Sequence, residues 1–120
     1  MSIAAPQADA FFKEVIINNA VWAICDEGGF PTSTNASGET AMPFWSKENR
    51  VQTVIKNVPA YKDFKAESIP MDKFIQNWLP GLKKDGLFVG VNWSGERAMG
   101  YDMDPMDVLA GLSAMDANGS

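Results

Sequence analysis

The sequence contains no histidine and a single cysteine, Cys25. Without histidine, the chain lacks the base of Ser-His-Asp and Cys-His catalysis, which excludes most hydrolase mechanisms and a zinc site with the usual ligands. A lone cysteine can form no internal disulfide, which is typical of a cytoplasmic protein. Because Asp26 and Glu27 oppose formation of a thiolate beside them, we expect Cys25 to be a buried structural residue.

Long apolar runs and a basic surplus are also missing. No stretch approaches about 18 apolar residues, and the start, MSIAAPQADAFFKE, is not a basic segment followed by an apolar one. We therefore expect no signal peptide, no membrane partner and a cytoplasmic location. The net charge of −5 argues against a nucleic-acid partner, because phosphate contacts need a basic face.

The charge is unevenly distributed along the chain. Residues 47–65 hold five basic and two acidic side chains, a balance of +3, so the remainder of the −5 chain carries −8. This pattern fits a solvated helix face and loop, and it also fits a docking patch for an acidic partner.

The length and composition predict one domain. The chain has 120 residues, of which 46% are hydrophobic and 21% charged, with no internal repeat and no linker rich in Pro, Gly or Ser. We expect a single domain over residues 8–115, with frayed termini at 1–7 and 116–120.

Apolar residues at three- and four-residue steps predict four helices, near 8–19, 47–57, 71–86 and 105–115. Ser46 is predicted to cap the second helix. Pro80 lies inside the third and predicts a kink or a second short helix, because proline removes a backbone donor. Asp104 and Pro105 give the last helix a cap and a favourable first residue.

Strand patterns lie between the helices. The segments VWAIC, ETAMPF, FKAESI, LFVGV and ERAMGYD predict strands, with another beginning at Phe30, and NWSG predicts a hairpin turn. The unbroken apolar run LFVGV predicts a central strand covered on both faces. The fold class is therefore α+β: a single compact domain with a mostly antiparallel sheet of about five to six strands and about four helices.

Two tryptophans lie where the helix and strand patterns do not require them, Trp45 in PFWS and Trp93 in NWSG. A large aromatic at a turn can cover the open end of a small core. It can also present a recognition surface, because aromatic side chains offer large contact area at low ordering cost. The sequence alone leaves both interpretations open.

A second candidate site surrounds the predicted start of the Ser46 helix. Free backbone donors there, together with Lys47 and Arg50, could hold a carboxylate or phosphate, and Asn92 and Arg97 could contribute. The acidic run from Asp102 to Asp107 does not match a calcium loop. We expect no metal and no cofactor.

Several segments together resemble a bacterial family of domains of unknown function, number 2750. They are DEGGFPT, MPFWS, VIKNVPAY, NWLPGLKKDGLFVGVNWSG and YDMDPMDVLAGL, and the resemblance covers roughly residues 11–112. More distantly, MPFWS and a late strand ending in Asn92 resemble SseB-like domains, although those domains usually place proline where this chain has Trp93.

The resemblance implies an α+β domain from a bacterium and brings no catalytic residue to carry over. It marks hallmark positions of the family pattern at Trp45, Ser46, Asn92, Trp93, Ser94 and Gly95.

Two functional hypotheses follow. The first is a non-enzymatic cytoplasmic module that binds another protein through a surface including Trp45 and Trp93, in a regulatory role. The alternative is a site for a small anionic ligand, or an enzyme active site, near the Ser46 helix start. Homo-oligomerisation is compatible with both.

Overall fold

A computed structural model describes residues 5–94 and 99–119, with side chains for 8–94 and 101–116. Within these residues the chain forms four helices and six strands. In chain order they are α1 (Ala5–Asn18), β1 (Ala20–Cys25), β2 (Ser33–Thr34), β3 (Thr40–Phe44), α2 (Glu48–Asn57), β4 (Lys65–Pro70), α3 (71–84), β5 (Phe88–Ser94), β6 (Met99–Met103) and α4 (Pro105–Gly119). The predicted α+β class is confirmed.

The strands form a four-stranded sheet in the order β2-β3-β5-β6 and a two-stranded sheet of β1 and β4. A backbone bridge joins the sheets, in which Trp22 and Trp45 exchange N–H···O bonds of 2.7 and 2.8 Å. Three of the four strand pairs are antiparallel, and β3 and β5 are parallel. The parallel pair is reached by a long crossover that carries α2, β4 and α3, as parallel pairing requires.

Helices cover both faces of the sheet, and strand alternation divides the core in two. On one face, here called the apolar face, residues of α1, α3 and α4 pack against the sheet around Phe44, Val89 and Val91. On the other, the α2 face, Val51 and Val54 of α2 pack against Trp45 and Trp93. As predicted, β5 is an inner strand of its sheet and is buried on both faces.

The irregularity predicted at Pro80 is present as a π-helical turn. In α3, an α-helical turn at Met71–Lys73 leads into a π turn at Phe74–Trp78, and α-helix resumes at Leu79–Lys84. Leu79 donates its N–H to the carbonyl of Phe74, five residues back. The wider turn lets the helix continue through a residue that has no N–H to donate.

The last helix begins as its sequence predicts. The Asp104 carboxylate accepts the N–H of Met106 at 2.8 Å, which caps α4 ahead of Pro105. The helix continues to Gly119, past the predicted end at Met115. The four residues after Met115 include no proline that would stop it.

Two local expectations outside the candidate site are wrong. The strand after β1 is only Ser33–Thr34 and does not begin at Phe30, because Phe30 leaves the sheet to pack edge-on against Trp78 at 4.9 Å between ring centroids. Cys25 is half-buried rather than buried, and it lines a surface cleft with Asp26 and Glu27. In the part of the chain described, no helix is long and apolar enough to cross a membrane.

Candidate functional site

The structure brings the two unexplained tryptophans together inside the protein. Trp45 has none of its surface exposed and Trp93 only 5%. The Trp45 indole N–H donates to the carbonyl oxygen of Trp93 at 2.8 Å, and the Trp93 indole N–H donates to Asp102 Oδ1 at 2.9 Å. The motifs therefore converge, but their rings close the α2 face of the core and offer little area to a partner.

A β-bulge at Asn92 directs Trp93 into this position. The predicted hairpin turn at NWSG is wrong, because β5 continues through Ser94. Between Val91 and Ser94, β5 has one more residue than the facing segment of β6, and Asn92 adopts a left-handed conformation with φ of 49°. An extra residue in the left-handed region is a known form of bulge, and asparagine tolerates that region better than most residues. Gly95, the last residue of the predicted turn, lies outside the described residues, as does Arg97.

Gly90 makes room for the Trp93 ring. A Cβ atom added at Gly90 would lie 2.4 Å from Cε2 of Trp93, closer than real contacts allow. The indole therefore lies directly over the backbone of β5, where only glycine fits. The Trp93 ring therefore fills the space that Gly90 leaves between β5 and α2.

Ser46 does not cap α2 as predicted. Lys47 occupies the N-cap position with an extended backbone and no side-chain capping bond, and the helix begins at Glu48. The buried Ser46 instead joins a polar network: its N–H donates to Asn92 Oδ1 at 3.0 Å, and its hydroxyl donates to Glu14 Oε1 at 2.5 Å. The Asn92 amide donates to Ser46 Oγ at 2.9 Å. Ser46 therefore bonds to residues that are distant in sequence and does not cap the first turn of α2.

Glu14, on α1, completes the network, and no motif in the sequence predicted it. Its carboxylate accepts two bonds from Arg50, from Nε at 2.8 Å and from a terminal nitrogen at 2.9 Å, and it lies 3.8 Å from the Lys47 ammonium. These partners, Arg50 first, hold the pKa of Glu14 below its ordinary value despite the opposing effect of burial. The sequence signal for Glu14 as a site residue is its spacing, since it is a charged residue three positions after the buried Phe11.

Above this network, α2 and the end of β5 enclose an open cleft of about 280 Å³, here called the α2–β5 cleft. It brings together four of the predicted site residues, Lys47, Arg50, Asn92 and Trp93, whereas Trp45 and Ser46 are buried and are not among the lining residues. The described lining residues include two cations and no carboxylate: Lys47, Asn49, Arg50, Thr53, Val54, Asn92, Trp93 and Ser94.

Metal ligands are not grouped in the described residues. No cluster of three or more His, Cys, Asp or Glu side chains is arranged there to hold a metal ion. The acidic run near the start of α4 is used otherwise, since Asp104 caps the helix and Asp102 accepts the Trp93 indole N–H.

A family model described as "Protein of unknown function (DUF2750)" matches residues 8–112. The chain belongs to this family. The match includes every residue of the network and the cleft, from Glu14 to Asp102, so the DUF2750 domain contains the whole candidate site. No curated protein and no solved structure matches the chain.

Proposed function

We propose that the protein is a non-enzymatic binding module whose α2–β5 cleft accepts a carboxylate from an acidic segment of a partner protein. The observation that carries the proposal is the composition of the cleft. Its described lining contains Lys47 and Arg50 and no acidic side chain, although the chain as a whole carries −5.

The lining is suited to a carboxylate. Bonds between an ammonium or guanidinium and a carboxylate are about twice as strong as neutral hydrogen bonds. Asn49 and Ser94 add exposed polar side chains at the rim. Bonds to Ser46 and Glu14 hold the lining residues Asn92 and Arg50 in place, so a ligand meets groups that are already positioned and loses less conformational entropy on binding.

Long-range electrostatics favour the same ligand. The segment that includes α2 carries +3 within a chain whose remainder carries −8. Such an asymmetric field orients an acidic partner toward α2 as it approaches and raises the association rate. A second copy of the protein would also be an acidic partner.

The burial of Ser46 supports a non-enzymatic role. Its hydroxyl is fully buried and bonded to Glu14 and Asn92, so it is not accessible as a nucleophile. The cleft volume of about 280 Å³ is at the lower limit for small-molecule sites. A free anionic metabolite therefore stays as the alternative ligand, with the same carboxylate or phosphate chemistry.

Nuclear magnetic resonance titration tests the proposal. The probes are two blocked tripeptides, acetyl-Gly-Asp-Gly-amide and its neutral match acetyl-Gly-Asn-Gly-amide. We expect the Asp peptide, and not the Asn peptide, to shift the Asn92 side-chain amide and the Trp93 indole signals. Lys47→Gln should weaken binding about two- to fivefold, the range for a partly exposed ion pair.

Lys56→Gln is the matched control, because it removes the same charge from the same helix outside the cleft lining. Equal shifts from both peptides, or equal weakening by the two lysine substitutions, would contradict the proposal. A titration with inorganic phosphate distinguishes the sources: strong phosphate binding with no response to the Asp peptide favours a free anion.

A further inference from the structure

The polar network contains a residue that can determine which anions the cleft prefers. Lys47 and Arg50 bring two positive charges, and Glu14 of α1 contacts both of them with one negative charge. The three side chains together therefore carry +1. Without Glu14 the same cations would carry +2.

Glu14 is firmly held in this position. Its side chain is 17% exposed, against 39% for Arg50 and 47% for Lys47. The bidentate pair uses two of the five N–H donors of the guanidinium. The more exposed cations therefore extend toward the cleft while the carboxylate stays behind them, out of the described lining.

We infer that Glu14 is a specificity-determining residue that limits the net charge of the described group of Glu14, Lys47 and Arg50 to +1 and so adapts the cleft to a single carboxylate instead of a doubly charged anion. This inference rests on the proposed function. Glu14 acts through Arg50 and Lys47 and is a positioning residue, because it lies outside the described lining.

The expected size of the effect follows from charge counting. Adding one unit charge about 4 Å from a singly charged ligand in water-like surroundings changes affinity about fivefold, and about 25-fold for a doubly charged ligand. A lining charge such as that of Lys47 should therefore change the ratio of divalent to monovalent anion affinity about fivefold, and Glu14, which lies behind the cations, about two- to threefold.

Three proteins provide a series of site charge: Lys47→Gln (0), wild type (+1) and Glu14→Gln (+2). Each is titrated with sodium acetate and with sodium sulfate at constant ionic strength, and binding is followed by the Asn92 side-chain amide signal. We expect the ratio of sulfate to acetate affinity to rise along the series, about fivefold from Lys47→Gln to the wild type and about two- to threefold from the wild type to Glu14→Gln.

Lys56→Gln and Glu67→Gln are the matched controls, since they make the same charge changes at exposed positions outside the described lining. Both should keep the wild-type ratio. A folded Glu14→Gln protein with the wild-type ratio would overturn the inference.

The wild type alone provides a second test in case Glu14→Gln does not fold. Two uncompensated cations favour sulfate over acetate about 25-fold, and compensation by Glu14 lowers that ratio to about tenfold. A wild-type ratio near 25 would show that Glu14 does not compensate the cations. If neither anion shifts the Asn92 signal in the wild type, the proposed function fails as well; binding with an unchanged ratio refutes only the role of Glu14.

Discussion

The two faces of the sheet are held by different interactions. The apolar face packs Phe44 edge-on against Phe74 and Trp78, with ring centroids 5.1 and 5.8 Å apart. The α2 face holds two indoles whose N–H groups are bonded to the Trp93 carbonyl and to Asp102. Non-directional packing tolerates small shifts of its side chains, whereas hydrogen-bonded rings have one arrangement.

The difference indicates where the protein keeps a fixed geometry. The α2 face adjoins the bulge at Asn92, the buried Ser46 and Glu14, which extends from α1 to pair with Arg50 of α2. Buried polar groups that are all hydrogen-bonded, as Ser46 and Asn92 are, favour a unique conformation over a merely compact one. We therefore expect the α2 face to tolerate fewer changes than the apolar face.

The largest difference is expected at two glycines, each lying under an aromatic ring. A Cβ added at Gly90 would lie 2.4 Å from the Trp93 ring, and one added at Gly111 would lie 2.3 Å from Phe12. Gly90→Ala should lower the free energy of unfolding by about 3 kcal/mol, because the bonded indole cannot move aside. Gly111→Ala should cost about 1 kcal/mol, because Phe12 can shift and alanine favours the helix.

Urea denaturation of both variants checks this prediction. Equal costs at the two glycines would mean that the hydrogen bonds of Trp93 do not restrict its movement, and the distinction between the faces would fail.

A second comparison removes one indole N–H from each face. Trp45→Phe leaves the buried carbonyl of Trp93 without its donor and should cost about 2 kcal/mol. Trp78→Phe, on the apolar face, removes an indole whose nitrogen makes no hydrogen bond within the described residues, and should cost less than about 1 kcal/mol. Thermal unfolding of the two variants measures the difference; a larger loss in Trp78→Phe would contradict it.

The smallest expected effect is a change in how stability depends on pH. Contacts with Arg50 hold the pKa of Glu14 below its ordinary value of 4.5, so Glu14 contributes stability above that pH, and the contribution is lost as the pH falls through the folded-state pKa. Burial raises the pKa of Asp102 above its ordinary value of 3.8, so Asp102 contributes the opposite slope, with stability falling as the pH rises through that range.

Glu14→Gln should therefore reduce the free energy of unfolding that is lost on acidification by about 1 kcal/mol. Asp102→Asn should increase that loss. Unfolding curves measured from neutral pH to below the ordinary pKa of Glu14 check the sign of each change. If both variants keep the wild-type dependence of stability on pH, neither carboxyl is coupled to folding.

Local patterns predicted the parts of the fold that depend on neighbours in sequence. The apolar run LFVGV predicted a covered inner strand, Asp104 predicted the start of α4, and Pro80 predicted an irregular α3, and all three are confirmed. In each case the cause lies within a few residues of its effect.

The candidate site depends on partners that are distant in sequence. Serine is a common helix-capping residue, but the hydroxyl of Ser46 bonds to Glu14, 32 residues away, and to Asn92, 46 residues away. Trp45 and Trp93 are 48 residues apart. Nothing in the periodicity required their convergence, because no local pattern encodes which strands pair.

The bulge at Asn92 also explains how Trp93 comes to face α2. Val89 and Val91 point to the apolar face, and strict alternation along β5 would place position 93 on that face as well. The extra residue shifts the alternation by one, so the indole lies beside Gly90 and reaches Asp102 on β6. Loss of the single codon for Asn92 would therefore keep the indole on the α2 face and would remove the amide that bonds to Ser46.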